Sequence, residues 1–406
     1  MNVVFVEPAF PPSQRHFARA LRHAGAYVMA VSERPLDSYD PELRSWVDWH
    51  WQVSSVTDEG ALEWAVRQAQ QHRWIDRLEV TIEAHVLPAA RVRERCGIPG
   101  TSVRAAWLCR DKPSMKQALR EAGVPCAQSA AVSSPDEVRQ FVEAVGLPVI
   151  LKPRDGAGAA GTLRVGDLQD LEFAIRATGV ADGESIAIEE FIEGHEGFVD
   201  TLTVQGRIRH DFVSHYFPTV LEAMRTRWIS PVIIATNKLD EPQYVEVRTL
   251  AARVVEILGL DTSPTHMEWF FGPKGLKFSE IGARVPGVGL WDLLSEANEM
   301  DVYAEWAYTL VHGTPQQQPS RRYSCGLIAL RPDRDGTIVG YDGVDEVERR
   351  YGDLITAHHL PPPGTPTQPV EAGFHANAWL RVRHPEFDTL KEILADVGRI
   401  VQVHAE

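Results

Sequence analysis

The sequence is short of several things, and each shortage narrows what the protein does. It has no run of about 18 apolar residues, the length a helix needs to cross a bilayer, so no membrane partner is expected. Its four cysteines, Cys96, Cys109, Cys126 and Cys325, are scattered with no CxxC pair. That spacing excludes a zinc cluster and a disulfide framework and fits a reducing, cytoplasmic setting. Positive charge is scarce: 41 Lys and Arg against 56 Asp and Glu leave a net charge of −15. A nucleic-acid surface needs a basic stripe and is not expected, although a local basic pocket fits inside an acidic protein. No GxGxxG follows the first apolar run, and no Gly-rich loop ends in Gly-Lys-Ser/Thr, so neither a dinucleotide fingerprint nor a Walker A loop is present. The start, Met1-Asn2-Val3-Val4-Phe5-Val6-Glu7-Pro8, lacks a basic stretch ahead of its apolar residues and reads as a first strand rather than a signal peptide. No Ser/His/Asp or Cys/His constellation is defensible, and no internal repeat is visible.

What is present is an ordinary globular composition, 44% hydrophobic and 24% charged, over 406 residues. That length suits two or three domains. The first 100 residues alternate strand and helix: Val3 to Val6, Gln14 to Ala24, Tyr27 to Val31, Gly60 to His72, Leu78 to Ile82, Ala84 to Cys96. The alternation predicts a Rossmann-like parallel sheet covered by helices, an α/β domain over residues 1–100. A mixed α+β segment follows over 101–318, with helices at Lys112 to Glu121 and Asp136 to Val145, strands at Pro148 to Lys152 and Ser185 to Phe191, a hairpin turning at Gln205-Gly206, and a long helix from Tyr244 to Leu258. After the linker Pro315-Gln316-Gln317-Gln318-Pro319, residues 319–406 form a small strand-rich domain with a late helix from Phe387 to Val397.

Two acids carry the most information. Glu268 and Glu280 each sit in a short apolar run, and the turn Gly272-Pro273-Lys274-Gly275 joins the runs into a predicted hairpin. Burying an acid in such a run is costly unless it is paired or binds a metal. Two oxygen ligands on neighbouring strands, with Arg284 just beyond, suit Mg²⁺ bridging phosphate oxygens. The competing reading is an exposed edge hairpin with a structural salt bridge. Ahead of them, Lys152-Pro153-Arg154-Asp155-Gly156-Ala157-Gly158-Ala159-Ala160-Gly161-Thr162 follows a strand, and its small residues let backbone N–H groups approach phosphate. By itself it reads equally well as a plain turn. Arg110-Asp111-Lys112 taken alone is an acid at a helix start, and Glu189-Glu190-Phe191-Ile192-Glu193-Gly194-His195-Glu196 an acidic turn.

The order of these pieces is more specific than any one of them. Asp111-Lys112-Pro113-Ser114-Met115-Lys116 with Ala122-Gly123-Val124-Pro125, then Pro148-Val149-Ile150-Leu151-Lys152-Pro153 and its glycine loop, then the Glu189–Glu196 motif, then Glu268 and Glu280-Ile281-Gly282-Ala283-Arg284, resembles the ATP-grasp superfamily over about residues 101–315. Thr81-Ile82-Glu83 and Gly97-Ile98-Pro99-Gly100 fit the end of the domain that precedes it there. The layout as a whole, including Ser324-Cys325-Gly326-Leu327-Ile328-Ala329-Leu330-Arg331-Pro332 and Gly340-Tyr341-Asp342-Gly343, resembles L-amino acid ligases.

The resemblance implies an ATP-grasp fold between the Rossmann-like and strand-rich domains, and an ATP- and Mg²⁺-dependent carboxylate–amine ligase, with Mn²⁺ as a substitute metal. Its expected course is an acyl phosphate, then amine attack, giving an amide of dipeptide type with ADP and phosphate. It implies that Lys112, Lys152 and the loop glycines Gly156, Gly158 and Gly161 contact ATP phosphates, that Glu189, Phe191 and Ile192 meet adenine, and that Glu196 holds the ribose. Glu268 and Glu280 would bind Mg²⁺, and Arg284 with Lys152 would serve catalysis. Gly282 departs from the family's commonest pattern, an Asn that is a third metal ligand. His215, Arg225 and Arg227 lie where the family varies and are candidate substrate groups, as is Trp291, which follows the Arg284 loop and could wall an apolar side-chain pocket; each has a bland structural alternative. His266 is read as structural. The partners implied are small carboxylate and amine molecules, and a homodimer is the commonest arrangement for such soluble chains. Two other readings share the layout: a biotin-carboxylase-like enzyme that phosphorylates bicarbonate, and a nucleotide-binding protein without catalysis.

Overall fold

A computed structural model describes residues 1–155 and 161–406. The expected parallel sheet is there. Asn2–Val6 lies between Tyr27–Ser32 and Arg77–Glu79, and Trp49–Gln52 completes the order at one edge. The first strand is apolar without alternation because both its faces are covered. Val4 and Val6 pack with Leu62 and Val66 of the helix Glu59–His72. Val3 and Phe5 pack with Phe17 and Leu21 of the helix Arg15–His23.

The next layer is a four-stranded antiparallel sheet in the order Ser129–Val132, Ile186–Glu190, Val149–Pro153, Leu163–Val165. Helices Pro135–Val145 and Leu168–Ala177 cover it, with their own small core of Val138, Val149, Leu151, Leu171, Ile175 and Ile188. Ser134 caps the first of these helices by accepting from the Glu137 N–H, and Asp167 caps the second.

The largest sheet has eight antiparallel strands: Gly275–Gly282, Ser263–Gly272, His195–Val204, Arg207–Phe217, Val232–Ala235, Ser324–Leu330, Ala378–His384 and Ile355–His359. It runs straight across residue 318, where the sequence reading ended the middle domain. Val232–Ala235 would otherwise be an open edge; pairing with Ser324–Leu330 satisfies its backbone and fuses the C-terminal segment to the central sheet. Only Ile338–Asp342 and Gln402–Ala405 form a separate small sheet. The helix expected from Phe387 to Val397 runs on to Ile400. Among the described residues, no helix is long and apolar enough to cross a membrane.

Candidate active site

A cleft of about 430 Å³ lies between the four-stranded sheet and the eight-stranded one. Lys112 opens the helix Lys112–Glu121, whose cap is Asp111, accepting from the Ser114 N–H at 3.3 Å. The bland reading of Asp111 as a cap therefore holds, and the cap also aims Lys112 and, one turn on, Lys116 into the cleft. Lys152 comes from the strand Val149–Pro153 on the opposite wall.

Glu189 is the counter-ion between these walls. It accepts from Lys116 Nζ at 2.6 Å and from Lys152 Nζ at 2.9 Å. Burial resists its charge, but the two lysines outweigh burial and hold it down at about 2. Burial also works against the charge of Lys152, and Glu189 and Glu280 overcome it, so that ammonium is held well above its usual range. Lys116 has less compensation: it is 1% exposed, and burial lowers its proton affinity despite Glu189. Lys116 was missed in the sequence reading, although its spacing of one helical turn from Lys112 was there to be seen. The expectation that Glu189 meets adenine has to accommodate a carboxylate already engaged by two lysines.

Phe191 and Ile192 line the same cleft, and the Phe191 N–H donates to the Pro148 carbonyl at 3.2 Å. The chain passes here with almost no clearance. A Cβ on Gly194, whose φ is +151°, would come 2.5 Å from the Phe271 carbonyl oxygen, and one on Gly272 would come 2.0 Å from the Glu193 oxygen. The two glycines let the Glu189–Glu196 motif lie backbone to backbone against the hairpin turn. Glu196 accepts from the Val220 N–H at 2.6 Å; burial raises its proton affinity to about 7, with that N–H opposing and Glu280 adding to the rise.

Glu268 and Glu280 are direct cross-strand partners on the predicted hairpin, and both line the cleft. Burial and the neighbouring charges of Glu280 and Glu196 push Glu268 up to about 8. Glu280 resists burial through Lys112 and Lys152, each 3.7 Å away, and stays on the acidic side of its usual value. Hard oxygen donors on adjacent strands, one of them short of positive charge, fit a divalent cation such as Mg²⁺. Among the described residues, no group of three or more His, Cys, Asp or Glu forms a cage for a metal, so phosphate and water would have to complete the coordination.

A smaller cavity adjoins the cleft and shares Lys112 and Glu280 with it. Arg284 lines this cavity and not the larger cleft, together with Glu83, Arg110 and His266. Arg284 Nε is 2.6 Å from Glu83, and Arg110 is 3.0 Å from the other oxygen of the same carboxylate. His266 Nδ1 lies 2.7 Å from Asp200 Oδ1, which accepts, and its Nε2 lies 3.8 Å from Glu268. Of the candidate substrate groups, Arg225 lines the main cleft and bonds the Thr162 carbonyl. The others lie elsewhere. Arg227 turns to Asp335 at 2.6 Å. His215 is buried between His195, 2.8 Å away, and the Tyr244 hydroxyl, 3.0 Å away. Trp291 is 2% exposed and packs in the core against Phe17, Tyr303 and Trp306. Gly161 has a φ of +66° and borders a separate groove. Gly156 and Gly158 lie outside the described residues.

Residues 117–299 match the ATP-grasp domain family. An L-arginine-specific L-amino acid ligase of Bacillus subtilis is 26% identical over 323 residues, 78% of this chain and 77% of that one. The alanine–anticapsin ligase of Bacillus subtilis strain 168 is 27% identical over 240 residues, 54% of this chain and 50% of the relative. The crystal structure of an L-amino acid ligase from Bacillus licheniformis superposes with a TM-score of 0.77 over 100% of this chain and 98% of that one, at 18% identity. The matched segment is an ATP-grasp domain, and the relatives it aligns with are amino-acid ligases, which supports an ADP-forming carboxylate–amine ligase as the class. Within that class it resembles the L-amino acid ligases, in sequence and over the whole length of the fold.

Proposed function

We propose that the enzyme joins amino acids into dipeptide-type amides at the expense of ATP, through an acyl phosphate. The observation that carries the reading is the shared wall of the two cavities. Lys112 and Glu280 line both, so a phosphoryl group held in the large cleft would lie next to the small cavity that Arg284 lines, and a substrate carboxylate reaching that phosphoryl group would come close to Arg284. ATP would lie with its base against Phe191 and Ile192, its ribose at Glu196, and its phosphates toward Lys112 and Lys152. Mg²⁺ held by Glu268 and Glu280 would neutralise phosphate charge.

The chemistry is then one of placement. A substrate carboxylate oxygen attacks the γ-phosphorus and ADP leaves. The amine of the second amino acid attacks the acyl carbon, phosphate departs with the carboxylate oxygen, and the amine proton is lost to solvent. No strong general base is needed, because the acyl phosphate is already activated. The lysines and Arg284 lower the barrier by holding the reactants in line and offsetting the charge that builds on the transferring group. The residues supply what such a transfer needs and little else, which agrees with the lack of a nucleophilic triad.

The test is to incubate the protein with ATP, Mg²⁺ and pools of amino acids, follow phosphate and identify products by mass. Amino-acid-dependent ADP and phosphate with a new amide are expected. AMP and pyrophosphate would overturn the mechanism, and bicarbonate-dependent turnover without an amide would move the substrate assignment.

A further inference from the structure

Glu83 belongs to the N-terminal domain, at the start of the helix Glu83–Cys96. An acid in a first helical turn is usually accounted for by the helix dipole and points to solvent. Glu83 does otherwise. It is one-fifth exposed, and its two oxygens are divided between two guanidinium groups: Oε2 takes Arg284 Nε at 2.6 Å and Oε1 takes Arg110 at 3.0 Å. All three side chains line the small cavity beside Lys112 and Glu280.

The space that the Glu83 carboxylate uses exists because residue 282 is glycine. A Cβ there would stand 3.1 Å from Glu83 Oε2, 3.3 Å from Arg284 Cγ and 3.5 Å from Arg284 Nε. A Cβ at 282 would require the Glu83 and Arg284 side chains to give by a few tenths of an ångström where they meet. Arg284 is also tied by its own NH1 to the Val285 carbonyl at 3.0 Å. Its guanidinium is thus fixed at Nε and at one terminal nitrogen, which turns the remaining donors to the cavity. A free arginine at this place would have several rotatable bonds to immobilise before it could meet a transition state.

We infer that Glu83 is a positioning residue for the ligase reaction: across the domain boundary, in the space Gly282 leaves, it holds Arg284 aimed at the reacting group, with Arg110 braced on the same carboxylate. The inference rests on the proposed role of Arg284 but not on which amino acids react. Arg284 does not line the large cleft, so the effect of Glu83 falls on turnover and not on nucleotide binding.

The test uses the full chain as wild type, Glu83→Gln, Arg284→Ala and the double variant. Glu83→Gln should lower kcat by roughly 10- to 100-fold, the cost of a misplaced catalytic group, while calorimetric affinity for MgADP stays within about twofold. The double variant should be no worse than Arg284→Ala alone. Losses that multiply, or a Glu83→Gln enzyme with wild-type kcat, would overturn the inference. A second readout needs no turnover: phenylglyoxal should modify Arg284 faster in Glu83→Gln than in wild type, read by peptide mass spectrometry, and equal rates would also overturn it. Wild-type protein without amino-acid-dependent turnover sinks the substrate reading, while the modification rates still decide the role of Glu83. If Glu83→Gln does not fold, Glu83→Asp keeps the charge but withdraws it by one methylene from Arg284, and should lower kcat and speed the modification in the same direction; unchanged values there would count against the inference.

Discussion

Replacing Glu189 with Gln exposes how the cleft is held together. Glu189 is 4% exposed and is the shared counter-ion of Lys116 at 2.6 Å and Lys152 at 2.9 Å. The amide keeps the shape and removes the charge. Lys152 retains Glu280 at 3.7 Å, but Lys116, at 1% exposure, is left beside a second cation with the weaker, more distant charge of Glu280 to offset it. Removing one partner of a buried pair costs about 3–5 kcal/mol, because the charge that remains is uncompensated. At the usual unfolding entropy per residue, a chain of 406 residues moves its midpoint by about 1.2 °C per kcal/mol, so the melting temperature should fall by roughly 5 °C. Calorimetry on both proteins, with and without MgATP, measures it. ATP should restore part of the loss, since its phosphates bring anionic charge back to the lysines. If instead Glu189→Gln melts like the wild type and only its KM for ATP rises, the carboxylate serves the nucleotide directly and the lysine-bridging argument is wrong.

Four further outcomes follow from the same reasoning. Glu280→Ala should abolish amino-acid-dependent ADP formation, and retained activity at saturating Mg²⁺ would remove Glu280 from the metal site. Trp291→Ala should destabilise the fold by about 3–5 kcal/mol in denaturant titrations, as a core aromatic does and a pocket wall does not. Arg227→Ala should leave kcat/KM within about twofold, since its partner Asp335 is exposed and such pairs contribute little; a large rise in a substrate KM would return Arg227 to the site. Burial holds His215 at about 3, well below its ordinary 6.5, so it is neutral in the fold while the unfolded chain takes up a proton. Its contribution to stability is intact above about pH 6.5 and is lost progressively as pH falls toward 3, by about 2 kcal/mol already at pH 5. The fall in melting temperature between pH 7 and 5 should therefore be shallower in His215→Gln, and an unchanged slope would refute it.

What the sequence disclosed and what it hid divide along physical lines. Local periodicity and glycine punctuation place the hairpin of Glu268 and Glu280 on neighbouring strands correctly; their direct pairing depends on a bulge beside Glu268 that the sequence does not show. The same signals end helices where Gly97, in the first domain, and Gly259, in the middle segment, turn left-handed. Long-range pairing left no such trace. Val232–Ala235 is four apolar residues whose partner lies about ninety positions on, and without that pair the C-terminal segment looks separate. The candidate site shows the same split. Residues in ordered motifs, Lys112, Lys152, Glu196, Glu268 and Glu280, meet in one cleft. His215, Arg227 and Trp291 had only their chemistry and rough location to commend them, and each found a structural partner elsewhere. Glu83 was legible only within Thr81-Ile82-Glu83 at the end of the first domain; its pairing with Arg284, two hundred residues away, left no trace in the sequence.

The central claim is that a substrate carboxylate becomes an acyl phosphate before the amide forms, and isotope transfer tests it most directly. With an amino acid whose carboxylate carries heavy oxygen, single turnover with ATP should move one labelled oxygen into the released phosphate, because that oxygen bridges carbon and phosphorus in the intermediate. Unlabelled phosphate accompanying amide formation, or label appearing in AMP, would contradict the account.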